Sequence, residues 1–246
     1  MATFSVILPA AGKSSRFHDE HYKKPFAPLD NRAVWLHCVE KFIGRDDVKQ
    51  VILIISPEDR ESFQMKFGAN VAILGIDVVE GGAERTDSVA NALARVKPNV
   101  DFIAVHDAAR PCLTQEWIDK VFAAAEKSGA AILAIPVTAT LKRVAPDKTV
   151  RETISRTDIW EAQTPQVFRR DWLMEAYERR GGAVATDDAE LVQRLGHRVS
   201  VVVGSSINVK ITTKEDLRLA GQALKALPKP KIIGPGHPFA DDDLWR

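Results

Sequence analysis

Short runs of β-branched and other apolar residues alternate along the chain with longer segments in which apolar residues recur every three to four positions. The short runs predict buried strands, and the longer segments predict amphipathic helices. The predicted strands cover residues 4–10, 48–56, 71–82 (one strand, or two joined at Gly75), 101–105, 130–137, 198–203 and 207–211. The predicted helices cover residues 33–44, 58–67, 84–96, 114–129, 171–180, 187–195 and 214–225.

This alternation predicts an α/β fold in which a doubly wound, mostly parallel sheet is built through right-handed crossovers. Ligands of such sheets bind outside the carboxyl ends of the strands. The residues that directly follow each predicted strand are therefore the first candidates for a functional site.

Residues 138–168 interrupt the alternation. Two β-type stretches flank "PDK", a turn signal, and predict a β-hairpin arm over about 138–157 that projects from the sheet. An exposed arm can cover its apolar side by pairing with a second subunit, so we expect a homodimer. We expect one domain over residues 1–225 and a C-terminal extension over residues 226–246, which is rich in Pro, Gly and Asp.

Composition excludes several classes of function. Among 246 residues, 45% are hydrophobic and 27% are charged, and the net charge of +1 gives no overall attraction to nucleic acid or to a membrane surface. The chain has no apolar stretch near the ~20 residues of a membrane span, and its first residues do not resemble a signal peptide. Cys38 and Cys112 fit no metal or redox spacing. We therefore expect buried free thiols in a cytoplasmic protein.

The first strand ends in "PAAGKSSRF", residues 9–17, which resembles a phosphate-binding loop. A P-loop requires Gly five positions before the Gly-Lys pair, where this chain has Ile7. The dinucleotide-binding fingerprint also fails, because Lys13 follows Gly12 and Ser56 ends the second strand in place of an acidic residue. Two readings remain: a solvated basic loop, or a loop whose backbone N–H groups and cations hold an anion.

Other strand ends carry similar signals. Gly81-Gly82 permits close approach of a ligand and is followed by Ser88 one helical turn later. Asp107 and Arg110 follow the next strand, and Lys210 follows residues 207–209 at the end of a later one. Each signal also has a purely structural reading as a turn, a local ion pair or a solvated cation. The His-Asp pair before Arg110 lacks the further His ligands of a metal phosphohydrolase. Together the signals suit a nucleoside triphosphate.

Seven motifs, in this order and spacing, resemble those of the 2-C-methyl-D-erythritol 4-phosphate cytidylyltransferase family of the non-mevalonate isoprenoid pathway. The resemblance covers roughly residues 4–222. The motifs are "LPAAGKSSRF…KKPFAPL", "GGAERTDSV", "HDAARPCL", "IPVTATLKRV", "ISRTDIWEAQTPQVF", "TDDAELV" and "INVKIT".

The resemblance implies a Rossmann-like nucleotidyltransferase that joins CTP and methylerythritol phosphate, releases pyrophosphate, uses Mg²⁺ and forms a homodimer through the arm. It implies that Arg16 and Lys24 stabilise the transition state and that Lys210 contacts the α-phosphate. The implied cytidine pocket consists of Ala10, Ala11, Gly12, Gly82 and Ser88. The implied binding residues for methylerythritol phosphate are Asp107, Arg110 and Thr164, with Thr140 and Arg156 of the arm reaching the partner subunit's site. No residue is implied as a metal ligand.

The chain departs from the family pattern at several positions. Ser14 stands where the family usually has a second Gly, and Lys23-Lys24-Pro25 replaces the commoner Pro-Lys order, so Lys23 is the alternative to Lys24. Ala83 and Ile207 stand where acidic residues are frequent.

The implied chemistry fits these residue types. The nucleophile is a phosphate whose second pKa is about 6, so it is ionised near neutral pH without a general base. The barrier lies in bringing two anions together, which cations lower by positioning and neutralising charge. The nearest alternative is a ribitol-5-phosphate cytidylyltransferase, against which Ala109 argues. A nucleotidyltransferase for another base and a non-catalytic nucleotide-binding protein are the remaining alternatives.

Overall fold

The computed structural model describes residues 1–12, 14, 17, 22–182 and 184–228. The strands, in chain order, are β1 (Phe4–Pro9), β2 (Pro28–Leu29), β3 (Arg32–Ala33), β4 (Val48–Ile55), β5 (Asp77–Glu80), β6 (Phe102–Val105), β7 (Ala130–Pro136), β8 (Leu141–Val144), β9 (Val150–Ile154), β10 (Trp160–Arg169) and β11 (Ser200–Val203). The α-helices are α1 (Val34–Val39), α2 (Arg60–Leu74), α3 (Arg85–Leu93), α4 (Gln115–Ser128), α5 (Arg170–Glu178), α6 (Asp188–Arg194) and α7 (Lys214–Ala226). Short 3₁₀ helices cover Lys24–Phe26 and Pro57–Asp59.

Seven strands form one central sheet in the order β11-β7-β10-β6-β1-β4-β5. All neighbouring pairs are parallel except the two that involve β10, which runs antiparallel to β6 and β7. The predicted α/β class with a mostly parallel sheet is confirmed. Strand β1 lies near the middle, where its Ile7 pairs with Ile52 of β4 and Val105 of β6.

The two faces of the sheet bury separate apolar clusters, and the alternation along β1 explains why. Phe4, Val6 and Leu8 point to the cluster that contains α1, α2 and α4, whereas Ile7 points to the cluster that contains α3, α5 and α6. All four side chains are fully buried. Because both faces are covered, the strand reads as a continuous apolar run rather than as an alternating one.

Two of the sequence predictions were wrong about strands. Residues 71–74 continue α2 instead of starting a strand, and Gly75, at φ +62°, ends the helix. Helical spacing decides this, because Val71 and Leu74 continue the face on which Phe63 and Phe67 meet the core. Residues 207–211 form no strand, and their backbone leads irregularly into α7. Helix α1 also ends at Val39, five residues before Gly44.

The predicted hairpin arm is present as the antiparallel pair β8 and β9, which forms a sheet of its own. Val144 and Val150 are 51% and 60% exposed on it. The stretch that follows, β10, is not part of the arm but enters the central sheet.

No helix in the described part of the chain is both long and apolar enough to span a membrane. Apart from Ala226, Leu227 and Pro228, the predicted C-terminal extension lies outside the described residues.

Gly129 ends α4 in a left-handed conformation, with φ +85°, and a Cβ added there would lie 2.3 Å from the ring of Trp172. Gly196 has a similar φ of +87°, but an added Cβ would meet nothing within 4 Å. We expect Gly196→Ala to lower the free energy of unfolding by about 1–2 kcal/mol, the cost of a left-handed L-residue. Gly129→Ala should cost a further ~1–3 kcal/mol through overpacking. Urea denaturation measures both, and equal losses would refute the role assigned to Trp172.

Candidate active site

The loops after β1 and β5 meet at one edge of the sheet, as the parallel topology requires. A Cβ added to Gly81 would lie 2.6 Å from the Cβ of Ala11 and 2.9 Å from Oγ of Ser88. The backbone N–H of Gly82 donates to Oγ of Ser88 at 3.0 Å. Three predicted pocket residues, Ala11, Gly82 and Ser88, are therefore brought together, next to Ala10.

Gly81 is the glycine that this contact requires, and sequence reasoning gave it no separate role. It is buried, whereas Gly82 is exposed and a Cβ on it would meet the side chain of Asp87 at 2.4 Å. Each glycine thus allows a different close contact. The lack of a side chain at Gly81 leaves room for Ala11, and the lack of one at Gly82 leaves room for the first turn of α3. The pair itself was the only sequence signal for either contact.

Ser14 occupies a left-handed backbone conformation with φ +53°, a conformation that glycine adopts without steric cost. Its Oγ donates to the carbonyl of Gly12 at 3.3 Å and accepts the backbone N–H of Lys24 at 3.1 Å. The side chain therefore ties the loop after β1 to the 3₁₀ helix that carries Lys24. The predicted catalytic residue Arg16 lies outside the described residues.

The structure separates the two candidate lysines. Lys23 Nζ lies 2.8 Å from Asp59 Oδ2 and 3.7 Å from Glu58 Oε2, at the 3₁₀ helix after β4. Lys24 begins the other 3₁₀ helix, and its backbone is held by Ser14. Lys23 is therefore paired with two carboxylates, whereas the backbone of Lys24 is tied to the loop after β1.

Three further predicted residues meet directly. Lys210 Nζ lies 2.8 Å and Arg110 Nε 3.5 Å from the same carboxylate oxygen of Asp107. Arg110 also donates to the carbonyl of Asn208 at 2.7 Å. Burial alone would raise the pKa of Asp107, but the nearby charges of Lys210, Arg85 and Arg110 outweigh it and hold the pKa well below its usual range.

Thr164 joins the same cluster, which we call the Asp107 cluster (Asp107, Arg110, Thr164 and Lys210). Its Oγ1 accepts the backbone N–H of Asp107 at 3.0 Å and lies 3.1 Å from Nδ1 of His106. Burial lowers the pKa of His106 to about 4, so its imidazole is neutral at pH 7. Since Nε2 lies 3.1 Å from the carbonyl of Arg110 and must donate to it, Nδ1 accepts from Thr164.

Asn208 was missed by sequence reasoning, although it supports the cluster. It is buried, and its Nδ2 donates to the carbonyl of Thr164 at 3.0 Å and to Oε1 of Gln163 at 3.2 Å. With the Arg110 contact, Asn208 links the strand that carries Thr164 to the segment that carries Lys210. Its position two residues before Lys210 is the only sequence signal that pointed to this region.

Thr140 and Arg156 are exposed and are not part of the hydrogen-bonded Asp107 cluster. Arg156 donates to the carbonyl of Thr138 and so joins the two ends of the arm. The structure of one chain therefore places both residues on the arm, as the sequence predicted, and leaves their contact with a ligand untested.

An additional buried ion pair lies behind the glycine pair. Arg85, the first residue of α3, donates to Oδ2 of Asp188 at 2.7 Å, and Tyr177 donates to Oδ1 of the same carboxylate at 2.5 Å. Asp188 is fully buried. The neighbouring Asp187 caps α6, since its side chain accepts the backbone N–H of Glu190.

Comparison with known proteins identifies the family. The family model described as 2-C-methyl-D-erythritol 4-phosphate cytidylyltransferase matches residues 4–226. A protein of that name from Rhodopirellula baltica is 44% identical, over 89% of this chain and 93% of the relative. One from Bacillus velezensis is 39% identical, over 91% of this chain and 96% of the relative.

Solved structures agree. The crystal structure of 2-C-methyl-D-erythritol 4-phosphate cytidylyltransferase from Thermus thermophilus has a TM-score of 0.74 and 33% identity, and the match covers 92% of this chain and 100% of that one. The match of the family model to nearly all of the described chain, together with this likeness, places the Asp107 cluster and the glycine pair inside the shared fold. The chain therefore belongs to the 2-C-methyl-D-erythritol 4-phosphate cytidylyltransferase family of nucleotidyltransferases.

Proposed function

We propose that this chain carries out the reaction of its family with the residues of the cleft described above: it joins CTP and 2-C-methyl-D-erythritol 4-phosphate and releases pyrophosphate. The observation that carries the proposal is the Asp107 cluster, which lies at the carboxyl edge of the sheet beside the glycine pair. One carboxylate among several cations suits a polyol hydroxyl next to phosphates.

The reaction needs no general base, and the buried groups of the cleft agree with that. The substrate phosphate is already ionised near neutral pH, since its second pKa is about 6. His106 has both ring nitrogens engaged and stays neutral, and Asp107 is held ionised by its cations. Neither group is placed to move a proton at pH 7, so catalysis rests on positioning and charge neutralisation.

The cations divide between the two anionic partners. Lys24 and Arg16 would stabilise the triphosphate as the α-phosphorus becomes five-coordinate, and Lys210 would contact the α-phosphate. Ala10, Ala11, Gly12, Gly82 and Ser88 would line the pocket for cytidine. Asp107, Arg110 and Thr164 would bind the acceptor alcohol. Thr140 and Arg156 would reach its phosphate from the arm, where the guanidinium of Arg156 can bind bidentately.

Magnesium is part of the proposal as a companion of the nucleotide. The described residues contain no group of three or more His, Cys, Asp or Glu that could hold a metal ion, and the carboxylate of Asp107 already faces cations. Mg²⁺ commonly binds through substrate phosphates and keeps several waters, so the ion would arrive with CTP.

A homodimer and a cytoplasmic location complete the proposal. The exposed apolar side chains of Val144, Val150 and Trp160 lie on the arm or just after it, and a second subunit would cover them. Cys38 and Cys112 are both buried and unpaired, which fits a reducing compartment.

CTP-dependent release of pyrophosphate, measured with methylerythritol phosphate, with ribitol 5-phosphate and with neither, tests the function. We expect release only with methylerythritol phosphate, and the same assay with GTP or UTP tests the base. None of the relatives named above has ribitol 5-phosphate in its name. Binding of CTP without any release would support a non-catalytic protein and refute the proposal.

Lys24→Ala should lower kcat by at least ~10², because one preorganised donor to a transition state typically contributes that much. Lys23→Ala is the matched control, since its charge is paired with Asp59 at 2.8 Å. Steady-state kinetics compare the two. Near wild-type turnover of Lys24→Ala, or an equal loss in Lys23→Ala, would contradict the assignment.

Arg156→Ala should raise KM for methylerythritol phosphate roughly tenfold or more, because a charge-assisted pair with phosphate is lost, while the Kd of CTP stays unchanged. Arg151→Ala, at another exposed arginine of the arm, is the control. Isothermal titration separates the two ligands, and a loss of CTP affinity would refute the role of the arm.

Mixing the Arg156→Ala and Lys24→Ala chains tests whether the arm serves the partner subunit. A mixed dimer would contain one site with both wild-type residues, so kcat/KM for methylerythritol phosphate should rise above the mean of the two separate variants. If kcat/KM of the mixture stays at that mean although subunits have exchanged, the arm acts on its own subunit's site.

A further inference from the structure

The Arg85–Asp188 ion pair, together with Tyr177, connects the three helices α3, α5 and α6. Arg85 opens α3, directly after the loop of the glycine pair, and Asp188 opens α6. Tyr177 of α5 holds the other oxygen of the carboxylate. A displacement of α6 would therefore also displace, through Arg85, the first turn of α3, which contains Ser88.

The start of α6 is itself fixed from the other side. The carbonyl of the Gln166 side chain accepts the backbone N–H of Ala189 at 3.1 Å, and its amide donates to Asp187 at 2.9 Å. Gln166 lies in β10, two residues after Thr164. The strand of the acceptor site and the helix of the nucleotide site are thus connected through α6.

Arg85 also acts on the cleft by its charge. Burial alone would lower the pKa of Arg85, but Asp188 outweighs it and holds the pKa above its usual range, so the guanidinium is charged at any working pH. That charge is the second contribution, after Lys210, to the low pKa of Asp107. Nη1 of Arg85 is buried and has no hydrogen-bond partner among the described residues. An unpaired buried donor costs free energy of desolvation. Arg85 is therefore a poor choice for packing alone, which favours a further role for its charge.

We propose that Arg85 is a positioning residue for the nucleotide: held by Asp188 and Tyr177, it fixes the first turn of α3 so that Gly82 and Ser88 face the base. The proposal rests on the function proposed above. Arg85 touches the helices rather than the reacting atoms, so its loss weakens binding of CTP more than it slows the chemical step.

The test uses Arg85→Met, Asp188→Asn and their combination in the full chain. We expect each single change to raise the Kd and KM of CTP roughly tenfold or more, because small misplacements of binding groups cost such factors, while kcat falls less than threefold. The double variant should be no worse than the poorer single one, since both changes break one contact. Arg85→Lys, which keeps the charge, should recover part of the affinity.

Arg180→Met is the matched control. Arg180 also ties α3 to the end of α5, through Asp87 at 2.7 Å, but it does so from the partly exposed side. We expect Arg180→Met to lower Tm about as much as Arg85→Met does, without a change in the Kd of CTP. If Arg180→Met weakens CTP as much as Arg85→Met does, general loosening of α3 explains the effect and the inference fails.

Calorimetric titration of CTP distinguishes this inference from the proposed function. Unchanged CTP affinity in Arg85→Met would overturn the positioning role whatever the turnover. A wild-type chain that binds CTP but releases no pyrophosphate would overturn the function, while the loss of affinity in the variants would still support the role of Arg85.

Discussion

The buried carboxylate of Asp107 sets the constraint on which the cleft depends. An isolated buried carboxylate costs several kcal/mol in lost hydration, and it stays ionised only if cations stand near it. Lys210 and Arg110 supply two, and Arg85 contributes a third charge. These cations come from different parts of the chain. Pairing them with the carboxylate of Asp107 therefore brings the end of β6, the segment after β11 and the start of α3 close together.

Two of these cations, and Lys24 of the first loop, are positioned by neighbouring protein groups. Arg110 is fixed by the carbonyl of Asn208, and Arg85 by Asp188. Lys24 is positioned through its backbone by Ser14. The supporting groups Asn208, Asp188 and Ser14 come from segments that lie far apart in the sequence. The precision of the cleft therefore depends as much on these neighbours as on the residues that would touch a substrate.

The sequence was sufficient for the class of fold and for the edge of the sheet at which Asp107 and Arg110 lie, because parallel topology brings strand ends together. Thr164 was implied only by the family resemblance, since it lies inside the antiparallel strand β10. The strand predicted at Lys210 is absent from the structure. Sequence reasoning failed at residues 71–74, where β-branched composition competed with helical spacing and packing of Val71 and Leu74 on the core decided for the helix. It also gave no sign that Asp188 would be paired with Arg85, since a contact over 103 positions leaves no local pattern.

The pairing of Lys210 with Asp107 bears on how such a cleft can accept two anions in succession. The ammonium group of Lys210 is paired with the carboxylate of Asp107 at 2.8 Å. An arriving phosphate can share Lys210 with Asp107, because an ammonium group has three donors in variable directions. Arg110 is less free, since its guanidinium is planar and one of its nitrogens is bound to Asn208. The two cations beside one carboxylate thus differ in freedom: the ammonium group of Lys210 can redirect its donors, whereas the guanidinium of Arg110 keeps a fixed direction.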